Sequence, residues 1–134
     1  MDNRNNEEMN PEMTSNVDAD RYRVVLCGAN AYEKKYYFNK DFDKMPESIK
    51  EELHVISVLF TEEVGGVFTI AFDADGEILL ETETYEEDIL YDEISSGLLI
   101  GEIQRKRQEL FESLKLFYRV FVKKEDISEL LGNS

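Results

Sequence analysis

The chain has 134 residues, with one cysteine, one histidine and no tryptophan, and its 15 basic and 30 acidic side chains leave a net charge of −15. That length suits one domain, and so acidic a surface repels nucleic-acid backbones and anionic membranes. A lone cysteine excludes an internal disulfide framework and is ordinary for a cytosolic protein, so a cytoplasmic location is expected.

Residues 1–20, MDNRNNEEMNPEMTSNVDAD, hold one strong apolar residue besides methionines, Val17. Such a stretch cannot bury enough surface to offset its ordering entropy. It is expected to be a disordered acidic tail, followed by a single α+β domain over residues 21–134. The start has neither the basic end nor the apolar run of a secretory leader. No stretch approaches the ~20 apolar residues needed to span a bilayer.

Arg21–Cys27, RYRVVLC, reads as a strand, with Tyr22, Val24 and Leu26 alternating onto one side. Tyr32–Phe38 alternates too, placing Tyr32, Lys34, Tyr36 and Phe38 on one face and Glu33, Lys35 and Tyr37 on the other. Gly28, Ala29 and Asn30 between them carry turn chemistry, because glycine and asparagine tolerate positive φ. The stretch predicts a hairpin with one face against a helix and the other partly exposed.

Asn39–Met45 reads as a polar connector. Pro46 fits the first turn of a helix, where its missing N–H costs nothing. Ile49, Leu53, Ile56 and Phe60 follow at helical spacing. Val55 and Leu59 widen the stripe and predict burial on more than one side. Gly65 and Gly66 end the helix.

Val67–Thr84 predicts a second hairpin. Phe68, Ile70 and Phe72 share a face, and Asp73–Gly76 suits a type I turn with Gly76 as the left-handed bulge residue. That turn pairs Phe72 with Ile78, Ile70 with Leu80 and Phe68 with Thr82. A two-residue turn at Asp75-Gly76 would instead scatter the apolar residues.

Glu86–Val122 reads as mostly helical, opened by Glu86, Glu87 and Asp88. One stripe continues through Ile89, Leu90, Ile94 and Leu98, and a second through Ile103, Leu110, Phe111, Leu114, Phe117, Tyr118 and Phe121. A straight helix of about 30 residues would span roughly 45 Å, against a globule about 30 Å across. Ser95, Ser96, Gly97 and Gly101 at its middle predict a kink, a close packing contact or a dimer contact. Lys124–Leu131 predicts a short terminal helix. The fold class is therefore α+β, an antiparallel sheet of two hairpins with helices on one face, in the order ββαββα.

Candidate sites are few. Cys27 and His54 form the one conceivable reactive pair, but no signature surrounds either, and a buried strand-end thiol with a helix-flank imidazole is the plainer reading. DADGEILLETE has its glycine at position 4 and Thr84 at position 12, which does not fit a calcium loop. Glu81 and Glu83 share a strand face and would form an acidic pocket only if Glu62, Glu63, Asp92 or Glu93 joined them. There is no phosphate-binding glycine motif, and two Cys or His residues are too few for structural zinc. No cofactor and no metal is expected. Arg105, Lys106 and Arg107 form a local basic run, suited to solvent or to the acidic 86–93 segment of a second copy.

The segments CGANAYEKKYYF, PESIKEEL, LFTEEVGGVFTIAFD and DEISSGLLIGEIQRKRQEL resemble a family of small acidic proteins of unknown function from clostridial bacteria. The likeness spans about residues 23–120. It implies a bacterial cytoplasmic protein and brings no activity, ligand or catalytic residue.

The residues favour a non-enzymatic interaction or regulatory module that self-associates as a homodimer, with a basic protein as a further partner. One alternative is a small ligand-binding domain or enzyme with a sheet–helix pocket near Cys27, using His54 or the Tyr32 and Tyr36 rings. A second is an acidic mimic of nucleic acid.

Overall fold

A computed structural model describes residues 22–85, 88 and 91–124. The expected tail, Glu86, Glu87, Ile89 and Leu90 of the expected last helix, and all of the expected terminal helix except Lys124 lie outside the described residues.

The elements run β1 (Arg23–Asn30), β2 (Lys35–Phe38), a 3-10 turn (Lys40–Phe42), α1 (Glu47–Val64), β3 (Val67–Asp73), β4 (Ile78–Glu83), α2 (Glu93–Lys106), α3 (Gln108–Phe117) and a π-helical turn (Tyr118–Val122). The strands form one antiparallel sheet in the order β2-β1-β3-β4. This is the expected α+β order, with the last helix divided. Since β2 and β3 both oppose β1, they run parallel to each other, and α1 carries the chain between them. Leu53, Ile56 and Phe60 of α1 and Leu110 and Leu114 of α3 share one core with Phe68, Ile70 and Phe72.

The second hairpin forms as its sequence predicts. Phe72 opposes Ile78, Ile70 opposes Leu80 and Phe68 opposes Thr82. Gly76 has φ 83°, and Phe68, Ile70 and Phe72 are wholly buried. The Asp73 carboxylate accepts the N–H groups of Asp75 at 2.8 Å and Glu77 at 3.0 Å. Phe68 stacks on Phe60 of α1 with centroids 4.3 Å apart. Each fully buried side chain of this size contributes about 1.5–3 kcal/mol by leaving water.

The first hairpin differs from expectation twice. Gly28, Ala29 and Asn30 belong to β1, and the turn is Ala31–Lys34. The Asn30 carboxamide oxygen opens the turn by accepting the N–H groups of Tyr32 and Glu33. Gly28 serves a close approach, because a Cβ there would lie 2.8 Å from the Phe68 carbonyl oxygen. The register also shifts between Val25 and Cys27. Val24 opposes Phe72, yet Cys27 opposes Ile70 and Ala29 opposes Phe68. The bulge reverses the parity of the strand, so Cys27 and Ala29 take the core face beyond it.

The connector after β2 does more than link. Phe42 and Met45 are buried, and Phe42 packs on Phe72 and Phe117. Asn39 caps the 3-10 turn through Asp41 N–H and donates to the Val25 carbonyl at 2.8 Å. Pro46 stands at the N-cap of α1, one position earlier than expected. Val55 and Leu59 are 50% and 54% exposed, so the second buried side expected of α1 is absent. Its apolar stripe meets the sheet on one flank only.

The long helical region breaks at Arg107 (φ −116°, ψ 33°), while α2 runs unbroken through Gly97 and Gly101. The expected kink is thus displaced toward the C-terminus. The break lets α3 fold back onto β4, keeping Ile103, Leu110 and Leu114 buried together. Among the described residues no helix is long and apolar enough to cross a membrane.

Candidate functional site

His54 lines a cleft beside α1, while Cys27 lies in the core behind it. Tyr36 lies between them. It projects from β2 toward α1, and its ring stacks on His54 with centroids 4.2 Å apart and planes 23° apart. Cys27 is wholly buried on β1, with Sγ 4.0 Å from the Ser57 hydroxyl. Burial pushes the thiol up to about 11, and the neighbouring Tyr36 and Ser57 hydroxyls offset this only in part. A thiol held neutral at physiological pH is a poor nucleophile.

Burial and the adjacent Cys27 also push the Tyr36 phenol up. Its hydroxyl oxygen is buried without a hydrogen bond. The Cys27 side chain is its polar neighbour in the core. An unsatisfied buried hydroxyl costs about 1–3 kcal/mol.

That cleft lies between α1 and the β1–β2 hairpin and holds about 670 Å³. Lys34, Lys35, Tyr36, His54 and Glu62 supply its ionisable lining, and Ala29, Ala31 and Val58 its apolar wall. Lys34 has φ 56°, a left-handed conformation uncommon outside glycine. The sequence placed Tyr36 on one strand face with Tyr32, Lys34 and Phe38, and His54 on the flank of the apolar stripe. Their contact was not legible, because the two lie on separate elements.

Tyr32 does different work. Its ring stacks on Tyr85 at 4.0 Å, and its hydroxyl donates to Asp88 at 2.5 Å. Tyr85 in turn donates to Glu33 and accepts from Asn30. These contacts fasten the chain after β4 to the first hairpin turn.

The other candidates disperse. Glu81 pairs with Arg23 at 2.9 Å, while Glu62 lines the cleft. Among the described residues no three His, Cys, Asp or Glu side chains gather as a metal site. Asp73 spends its carboxylate on its own turn. Lys106 pairs with Glu102 at 2.6 Å and Arg107 with Glu52 at 2.8 Å.

Of the four small residues on α2, two are used within the protomer. Ser95 is held by Asp92, the N-cap. Ser96 is buried and accepts the Tyr91 hydroxyl proton at 2.7 Å. Gly97 and Gly101 remain open. A Cβ on Gly97 would meet nothing within 4 Å, and one on Gly101 would meet only the Arg105 guanidinium at 3.6 Å. Beside them Ile94 is 77% and Leu98 71% exposed.

Residues 23–126 match DUF6145, a family of unknown function. No curated protein and no solved structure matches the chain.

Proposed function

The chain belongs to this family of unknown function, and from that premise we propose that it is a non-enzymatic interaction module that works as a homodimer through the outer face of α2. The observation that carries the reading is the exposure of Ile94 and Leu98 beside two glycines whose missing side chains nothing in the protomer fills. Ile94, Leu98, Gly101 and Arg105 recur at steps of four, three and four, so they form one stripe. Largely exposed apolar side chains on a stripe of this kind gain by association.

A second copy fits the stripe by shape. Twofold pairing presents the same patch on both partners. An antiparallel crossing centred between residues 98 and 101 sets Leu98 over the partner's Gly101. Leu59 lines a groove of about 240 Å³ between α1 and α2, and its neighbour Val55 extends the apolar surface. A bacterial cytoplasmic setting, clostridial by resemblance, belongs to the same proposal and is supported by the free, buried thiol.

Light scattering at tens of micromolar should give the mass of a dimer. Leu98→Glu should give a monomer with an unchanged circular dichroism spectrum. A monomer mass for the unaltered chain would overturn the reading.

A further inference from the structure

The sheet leaves one edge open beside a groove. Strand β4 is the outermost strand on its side. The Asp73 N–H donates to the Glu77 carbonyl at 2.9 Å, and this sets the phase of the β3–β4 ladder. Leu79, Glu81 and Glu83 turn their backbone groups to β3, while Ile78, Leu80 and Thr82 turn theirs outward. Among the described residues nothing pairs with that outward row. The other edge, β2, is four residues long and opens on Lys35, a charge that blunts an edge. Strand β4 has six residues, with neither lysine nor proline.

A groove of about 260 Å³ lies between β4 and α3. No residue of β1, β3 or α1 lines it, so it sits on the outer side of β4. Ile78, Leu80 and Phe111 make its apolar wall, and Lys115 joins Glu77 to Glu112 beside them. On the helix-free face of the same strand stand Leu79, Glu81 and Glu83. Glu81 is paired with Arg23. Glu83 is exposed and makes no ion pair among the described residues. The edge thus offers apolar contacts on one face and carboxylates on the other.

We infer that β4 takes up an extended, basic segment of another protein as a fifth strand. The backbone of that segment pairs with Ile78, Leu80 and Thr82. Opposed side chains on neighbouring strands share a face. Apolar residues at alternate positions therefore enter the groove, and the basic residues between them face Glu81 and Glu83. A second copy on the same edge would gather like carboxylates on one face, which disfavours it. The site is separate from the α2 stripe, because Gln104 alone of α2 reaches the groove.

Three short peptides test this at about 0.15 M salt, where surface attraction is screened. One alternates valine with lysine, one holds the same residues in two blocks, and one alternates valine with glutamate. The first should bind saturably and slow the amide hydrogen exchange of Ile78, Leu80 and Thr82. The other two should bind more weakly and leave those amides exchanging as in the free protein. Glu83→Lys alters an exposed side chain, so the fold is retained, and should weaken binding of the first peptide about threefold. No saturable binding of that peptide, or binding that leaves the three amides unprotected, would overturn the inference. So would equal binding by either control peptide, or an unchanged affinity in the variant.

Discussion

Tyr118 closes over Gly76. A Cβ on Gly76 would lie 2.9 Å from Tyr118 Cδ1, and the Tyr118 ring packs on Phe72 with centroids 4.7 Å apart. The π-helical turn that follows α3 thus locks the turn of the second hairpin. Gly76 is required twice, once for φ 83° and once for the ring above it.

Gly76→Ala should therefore cost about 1–3 kcal/mol from backbone strain alone, with the contact adding to it. A fall in the urea midpoint measures this. A variant as stable as the parent would show that the turn and Tyr118 separate freely.

Gly28 tests packing without backbone strain. Its φ is not in the left-handed region, so Gly28→Ala would ordinarily stabilise by about 0.4–1 kcal/mol through the unfolded chain. Here the added Cβ meets the Phe68 carbonyl oxygen at 2.8 Å, a backbone atom held by the sheet. The expected outcome is a loss of about 1–3 kcal/mol, read from denaturant unfolding. A gain in stability would refute the close approach.

Cys27 makes stability fall at alkaline pH. Folding raises its pKa from 9.0 to about 11, so the folded state favours the neutral thiol. The stabilisation is whole below about pH 9 and is lost as pH rises toward about 11, at no more than about 1.4 kcal/mol per unit. Urea midpoints across that window should fall more steeply for the parent than for Cys27→Ala. Equal slopes would contradict the assignment. At neutral pH a mild alkylating agent should modify the native thiol more slowly than free cysteine.

Gly101 tests the register of the proposed dimer. The crossing sets the partner's Leu98 over Gly101, twice by symmetry, while within the protomer a Cβ there would meet only the Arg105 guanidinium at 3.6 Å. Gly101→Leu should therefore weaken self-association, as sedimentation would show, although removing a helix-interior glycine by itself favours the helix by about 1 kcal/mol. A variant that associates as tightly as the parent would rule out the antiparallel crossing.

The second hairpin was fully legible because its turn and its apolar alternation specify the same register. The first hairpin carries equally good strand residues but two competing turn signals. Gly28, Ala29 and Asn30 read as the turn itself, yet they end β1 and Asn30 starts the turn from there. The Cys27 and His54 pairing is arithmetically open in one dimension; in the fold the His54 ring stacks on Tyr36 and the Cys27 thiol lies against Ser57. Val55 and Leu59 look like core by spacing, but too few partners reach that flank of α1.

What the amino-acid order determined alone was local: the strand alternation of β3 and β4, the stripe of α1 and the glycine stop after it. These follow from side-chain period and allowed backbone angles, which each segment carries with it. The tertiary structure alone decided which face Cys27 takes beyond its bulge, why Gly28 must lack a side chain, and where the last helix bends. It also decided that Ile94 and Leu98 stay uncovered. Each of these depends on which surfaces meet, and no single segment encodes its own neighbours.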